Sequence, residues 1–208
     1  MQTSLLFSIY YYLLFSVNKP KIMESSFVLK EISESSGCTE ADNENLWRML
    51  LHAAHEKDLE SVKSNALLKP YVENFGEQKG DLAIVAFHDV RAGHGKHEEA
   101  VGAAWVRIFP GGGLATSKMD ASCNDLRDFP ELAVACSLQY RGQGLGSQLL
   151  LSLITRLKEM NEKGGLVLSC RTENNALRLY ERLGFEIVPG SLKTNRVGGT
   201  SVTMKCVW

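Results

Sequence analysis

Short apolar runs bounded by turn residues recur along the chain and mark strands at 27–32, 82–87, 100–109, 132–136, 166–170, 185–188 and 201–207. Helical spacing appears between them. Leu46, Met49, Leu50 and Ala53 share one face of a helix over 43–55, with Asp42 in front as its capping residue. A second helical region, 59–75, is interrupted at Pro70. An amphipathic run over 149–160 predicts a third helix. Residues 91–98 are charged and contain glycine, which reads as a loop. Pro110-Gly111-Gly112-Gly113 ends one strand, and Gly198-Gly199 makes a turn before the last. Strands come first as a meander and then alternate with helices, so the pattern predicts an α+β fold. No internal repeat or low-complexity tract interrupts it.

Composition fits one globular domain over 23–208, because 208 residues with 44% hydrophobic content can fill a single core. The apolar stretch 5–17 stands apart. It is short for a membrane span, carries no basic n-region and lacks the arginines of a transit peptide. Residues 1–22 therefore read as a dispensable leader or an upstream start, with a targeting or membrane-associating segment as the alternative. A formal net charge of -1 with no basic stripe argues against a nucleic-acid partner. Five cysteines without a C-x-x-C pair point to a cytoplasmic or other reducing compartment, and against a disulfide framework or a zinc site. Cys136 and Cys170, in strand-like runs, read as inert buried thiols.

The candidate chemistry starts at Gln139-Tyr140-Arg141-Gly142-Gln143-Gly144-Leu145-Gly146-Ser147. Three glycines at alternate positions separate an apolar strand from a helix. Such a turn lets backbone approach a ligand closely, and the first amides of the helix suit a phosphate. The dinucleotide fingerprint G-x-G-x-x-G fails by one residue, which disfavours a Rossmann-type oxidoreductase, and no Gly-Lys-Ser/Thr is present for a nucleoside-triphosphate loop. Arg141, Gly144 and Gly146 instead meet R-x-x-G-x-G. Downstream, Asn174-Asn175-Ala176-Leu177-Arg178-Leu179-Tyr180-Glu181-Arg182-Leu183-Gly184-Phe185 follows N-x-A-x-x-L-Y-x-x-x-G-F. Asn174 is a good helix cap, Ala176, Leu179, Tyr180 and Leu183 form one face, and Gly184 closes the helix. These two motifs, in this order, resemble the GNAT superfamily of acyl-CoA-dependent N-acyltransferases.

The resemblance implies a mixed, largely antiparallel sheet whose two parallel middle strands splay apart, with helices on both faces and a pantetheine arm in the gap. It implies acetyl-CoA as cosubstrate, no metal, and a direct attack by an amine. Val134, Ala135 and Cys136 would contact the arm through backbone. Arg141, Gly142, Gln143, Gly144, Leu145, Gly146 and Ser147 would hold the diphosphate, and Asn174 would cap its helix or bond the pantetheine. Tyr180 would be the general acid towards sulfur and Glu131 the general base towards the amine. The motif departs from the family in having Leu138 where proline is common three residues before the arginine. A noncatalytic CoA-binding or regulatory module on the same fold is the alternative. The acceptor, a small-molecule or protein amine, would be shaped by residues 57–80 and 111–129, and a homodimer is possible. His52 and His55, one helical turn apart, are not in the zincin order. Trp47, Trp105 and Phe109 fit either an acceptor pocket or core packing.

Overall fold

The computed structural model describes residues 27–88, 99–116, 121–160 and 164–208. The apolar leader and the loop expected at 91–98 lie outside them. Strands β1 (Phe27–Ser33), β2 (Leu82–His88), β3 (Ala100–Arg107), β4 (Glu131–Cys136), β5 (Gly165–Arg171), β6 (Glu186–Ile187), β7 (Lys193–Thr194) and β8 (Thr200–Val207) form one sheet. Its order is β1-β2-β3-β4-β5-β8-β6, with β7 also on β8. Every pairing is antiparallel except β4 with β5. The period of two along each strand decides which side chains go where. Leu82, Ile84, Ala104 and Val106 pack under one layer, and Ala83, Val85, Ala103 and Trp105 under the other.

Helix α1 (Glu40–Ala54) and the short α2 (Leu59–Lys63) cover the second of these faces. Helix α1 starts three residues earlier than its apolar periodicity predicts. Thr39, not Asp42, is the cap, and Asp42 closes a reciprocal box. Thr39 Oγ1 accepts from the Asp42 amide at 3.2 Å, and Asp42 Oδ2 accepts from the Thr39 amide at 3.1 Å. The Asp42 carboxylate also takes Lys30 Nζ at 2.6 Å, which ties the helix to β1. The region 59–75 holds α2 and a 3-10 turn at Lys69–Tyr71, with Pro70 inside the turn where its missing amide does no harm.

Helix α3 (Leu145–Glu159) covers the first face with Leu145, Leu149, Leu150, Leu153, Ile154 and Leu157. Gly102 on β3 lets its first turn come close, since a Cβ there would sit 3.0 Å from Leu149 Cδ1 and 3.1 Å from Leu145 Cδ2. Helix α4 (Leu177–Arg182) ends in a Schellman motif. The Phe185 amide donates to Tyr180 O at 3.0 Å and the Gly184 amide to Glu181 O at 3.1 Å. Gly184 takes φ +87, and the rings of Phe185 and Tyr180 meet edge-on at 5.6 Å. Hence the apolar run 185–188 contributes only two strand residues. Among the described residues no helix is long and apolar enough to cross a membrane.

The middle of the sheet opens as the sequence resemblance implies. The ladder between β4 and β5 holds at Glu131↔Val167, with the Val167 amide on Pro130 O at 3.0 Å. Beyond that point the strands part.

Candidate functional site

Two cavities meet at this opening. The larger, about 1210 Å³, lies between the glycine turn and α4. The smaller, about 290 Å³, lies under α1 and reaches Glu131. Ala53, His55, Val134, Arg171, Asn174 and Tyr180 border both.

The glycine turn builds one wall of the larger cavity. Gly144 takes φ +86 and stands as the cap of α3, whose first intrahelical bond is Gln148 N to Gly144 O at 3.1 Å. The amides of Leu145, Gly146 and Ser147 precede that bond and have no helical acceptor. Gly142, Gln143, Gly144, Gly146 and Ser147 border the cavity, while the Leu145 side chain points into the core and is 1% exposed. Arg141 turns back on the sheet, with Nε donating to Cys136 O at 3.0 Å. A Cβ on Gly144 would meet nothing within 4 Å, so only its left-handed backbone demands glycine. Gly144→Ala is therefore expected to lower stability by about 1–2 kcal/mol, readable as a lower melting temperature. Gly146 is helical, and its Cβ would make ordinary contact with Leu179 Cδ2 at 3.4 Å, so Gly146→Ala should melt near the wild type.

The parted strands supply the other wall. The Ser137 amide bonds Val101 O, so by alternation Val134 and Cys136 turn their peptide groups into the gap. Ala135 turns its own towards β3, and borders the cavity without offering a free amide. The Cys136 thiol is pushed up to about 11 by burial, as is that of Cys170, so both stay protonated. Cys38, Cys136, Cys170 and Cys206 are free thiols.

Asn174 is not the helix cap; Ala176 holds that position. Asn174 Oδ1 accepts from the Ala176 amide at 2.9 Å and shapes the turn that leads into α4. Tyr180, 7% exposed, stands between the cavities. Burial pushes its hydroxyl well above the usual tyrosine range. Arg171 is the last residue of β5. It borders both cavities, and its Nη2 donates to Ala54 O at the end of α1.

Glu131 sits at the foot of the smaller cavity, 3% exposed. Burial pushes its carboxyl up to about 7, against the hydrogen bonds from Tyr71 and the Ala115 amide and the charge of Lys193. Oε1 accepts from the Tyr71 hydroxyl and from Ala115 N, the latter at 2.9 Å. Oε2 is buried and has no hydrogen-bond partner among the described residues. A carboxyl that titrates near neutrality inside a cavity can exchange a proton with a bound amine.

The segments expected to shape the acceptor side contribute Leu67, Leu68, Tyr71 and Leu114. The β7–β8 hairpin completes that side with Lys193, Asn195 and Arg196, which the Gly198-Gly199 turn signal alone did not reveal. Arg196 pairs with Glu56 and donates to Ala54 O at 2.8 Å, fastening the hairpin to the end of α1. His52 and His55 border the larger cavity, both held below the usual histidine range by burial and by neighbouring arginines. Trp105 is core, with Nε1 donating to Tyr71 O at 3.1 Å, and Trp47 lies in the same cluster under Lys63.

A family model for the acetyltransferase (GNAT) domain matches residues 81–187, just over half of the chain. The chain belongs to the GNAT acetyltransferase family. Solved structures share its fold. The ribosomal-protein-S18-alanine N-acetyltransferase from Escherichia coli is 18% identical, with 88% of this chain and 94% of that one covered and a TM-score of 0.54. The ribosomal-protein-alanine N-acetyltransferase from Brucella melitensis is 20% identical, with 87% and 99% covered and a TM-score of 0.55. A NatC complex bound to Gag peptide and CoA matches at 14% identity, with 88% and 99% covered and a TM-score of 0.57. No curated protein sequence matches this chain.

Proposed function

We propose that this protein transfers an acetyl group from acetyl-CoA to a primary amine. The observation that carries the reading is the meeting of two cavities at the sheet opening. Unpaired helix amides stand on one side, a carboxyl titrating near 7 on the other, and Tyr180 between them. The fit to coenzyme A rests on the free amides at 145–147 and on the Val134 peptide groups in the gap, which suit a diphosphate and an amide-bearing arm. Acetyl-CoA supplies the activated acyl carbon. Glu131 takes a proton from the amine as its nitrogen bonds that carbon. Tyr180 gives a proton to the sulfur as the carbon–sulfur bond breaks. Calorimetric titration with acetyl-CoA, followed by a panel of amines scored by thiol release, tests the whole. Silence in the calorimeter at millimolar ligand would remove the reading.

The base role has its own test. Only the carboxylate accepts a proton, so kcat/KM should climb as pH rises through about 7. Glu131→Gln should flatten that limb and cut turnover by about 10²–10⁴-fold. Stability should move the opposite way. The folded carboxyl binds its proton more tightly than the unfolded one, so this group weakens the fold as pH rises from the ordinary carboxylate range through about 7. Glu131→Gln should accordingly raise the melting temperature in mild alkali and change it little in mild acid. A variant with the wild-type limb would end the assignment.

A further inference from the structure

Glu131 is not held by its own strand alone. Its Oε1 collects two donors, the Tyr71 hydroxyl and the Ala115 amide, from segments far apart in the chain. Its Oε2 collects none among the described residues and lies against Gly113, where a Cβ would run into it. The carboxyl is thus divided into an anchored oxygen and an uncommitted one.

Tyr71 is well placed to be the anchor. It is 5% exposed, and its ring packs on Phe109 with centroids 4.7 Å apart. Its own carbonyl accepts from Trp105 Nε1 at 3.1 Å. The carbonyls of Pro70 and Glu73, on either side, accept from Arg107 Nη1 at 2.7 and 2.6 Å. Arg107 is itself gripped by Asp81. A hydroxyl so framed has little freedom except to point at Glu131.

We propose that Tyr71 is a positioning residue for acyl transfer: it fixes Glu131 Oε1 and leaves Oε2 as the oxygen free to take the acceptor's proton. This rests on the reading of Glu131 as the base. A buried acceptor atom without a partner is costly in a folded protein, and an oxygen left uncommitted in this way is the one that can take up a proton. The donated hydrogen bond also favours the charged carboxylate, which must exist before it can take a proton. Lys193 acts in the same sense from β7, and the Ala115 amide from the loop before β4. Arg107, opposite Glu131 in the β3–β4 register, is committed to Asp81.

The test is Tyr71→Phe, which keeps the ring and removes the donor. Loss of one hydrogen bond to a carboxylate should move the acid limb of kcat/KM upward by about one to two pH units. Turnover should drop near neutrality and recover in alkali, with the KM for acetyl-CoA unchanged. In a Glu131→Gln background the same substitution should cost no more than about 2-fold further, because it has lost the group it acts through. A purely structural role would instead lower activity at every pH and add to the Glu131→Gln defect; either result overturns the proposal. A ¹³C NMR titration of the Glu131 carboxyl, assigned with Glu131→Gln, reads the same shift without turnover. Should the wild type transfer no acetyl group, the proposed function falls, while an unmoved carboxyl titration in Tyr71→Phe strikes the Tyr71 assignment alone.

Discussion

Replacing Tyr180 with phenylalanine is expected to lower acetyl transfer by about 10²-fold or more, while the fold and acetyl-CoA binding stay close to wild type. The ring has a structural seat that phenylalanine keeps. It packs edge-on against Phe185 at 5.6 Å and belongs to the core cluster under α3. The hydroxyl has no hydrogen-bond partner among the described residues, so its removal strands no protein group. What goes is the proton. Burial, reinforced by the neighbouring Cys170 and Cys136, keeps the phenol neutral throughout the working range. In the proposed mechanism it is therefore available as a donor to the departing thiolate. The check is kcat against the calorimetric Kd for acetyl-CoA. The defect should shrink with a thioester whose thiol is more acidic, since that sulfur leaves without help. Wild-type turnover in Tyr180→Phe would reduce this residue to a core aromatic.

The glycine-turn half of the candidate site, proposed for coenzyme A, was legible in the sequence because its devices are local. A turn needing left-handed glycine at Gly144, and a helix closing through Gly184 onto Phe185, each complete themselves within a few residues. The half proposed for the acceptor is assembled across the chain. Tyr71 and Glu131 are 60 residues apart, Lys193 and Leu114 are 79, and Arg196 and Glu56 are 140. Periodicity leaves Glu131 just ahead of the strand read at 132–136, and does not say that a tyrosine from a 3-10 turn caps it. Boundaries failed for the same physical reason. Polar Thr39 and Asp42 start α1 by bonding each other, which an apolar count over 43–55 misses. Of the β7–β8 hairpin, the last strand and its glycine turn were visible but β7 was not, because a two-residue strand carries no readable period.

The buried pair Asp81–Arg107 was the least legible feature and should give the largest stability effect. Asp81 stands just ahead of one apolar run and resembles a solvated strand terminus, and Arg107 interrupts another as a lone charge. The register Leu82↔Val106 sets them opposite one another, and the register Arg107↔Glu131 adds a third charge to the row. Asp81 and Arg107 are 2% and 1% exposed. Arg107 Nε and Nη2 reach the two carboxylate oxygens at 2.8 and 2.6 Å, and the remaining donors take Pro70, Glu73 and Asn74 carbonyls. Asp81 Oδ2 also accepts from the Gly76 amide at 2.8 Å. With so many partners the desolvation of both charges is answered, and removing one charge leaves the other stranded. Asp81→Asn is expected to cost about 3–5 kcal/mol. That is a melting temperature lower by about 6–20 °C for a domain of this size. The double variant Asp81→Leu with Arg107→Met should recover only part of the loss. An apolar pair removes the stranded charge, yet the three carbonyls around Tyr71 still lose their donor. Its residual defect should appear at Glu131 as well, with a weakened anchor and an acid limb displaced upward. A melting temperature for Asp81→Asn within a few degrees of wild type would mean that the guanidinium finds another anion, and that the clamp on Tyr71 does not depend on the pair.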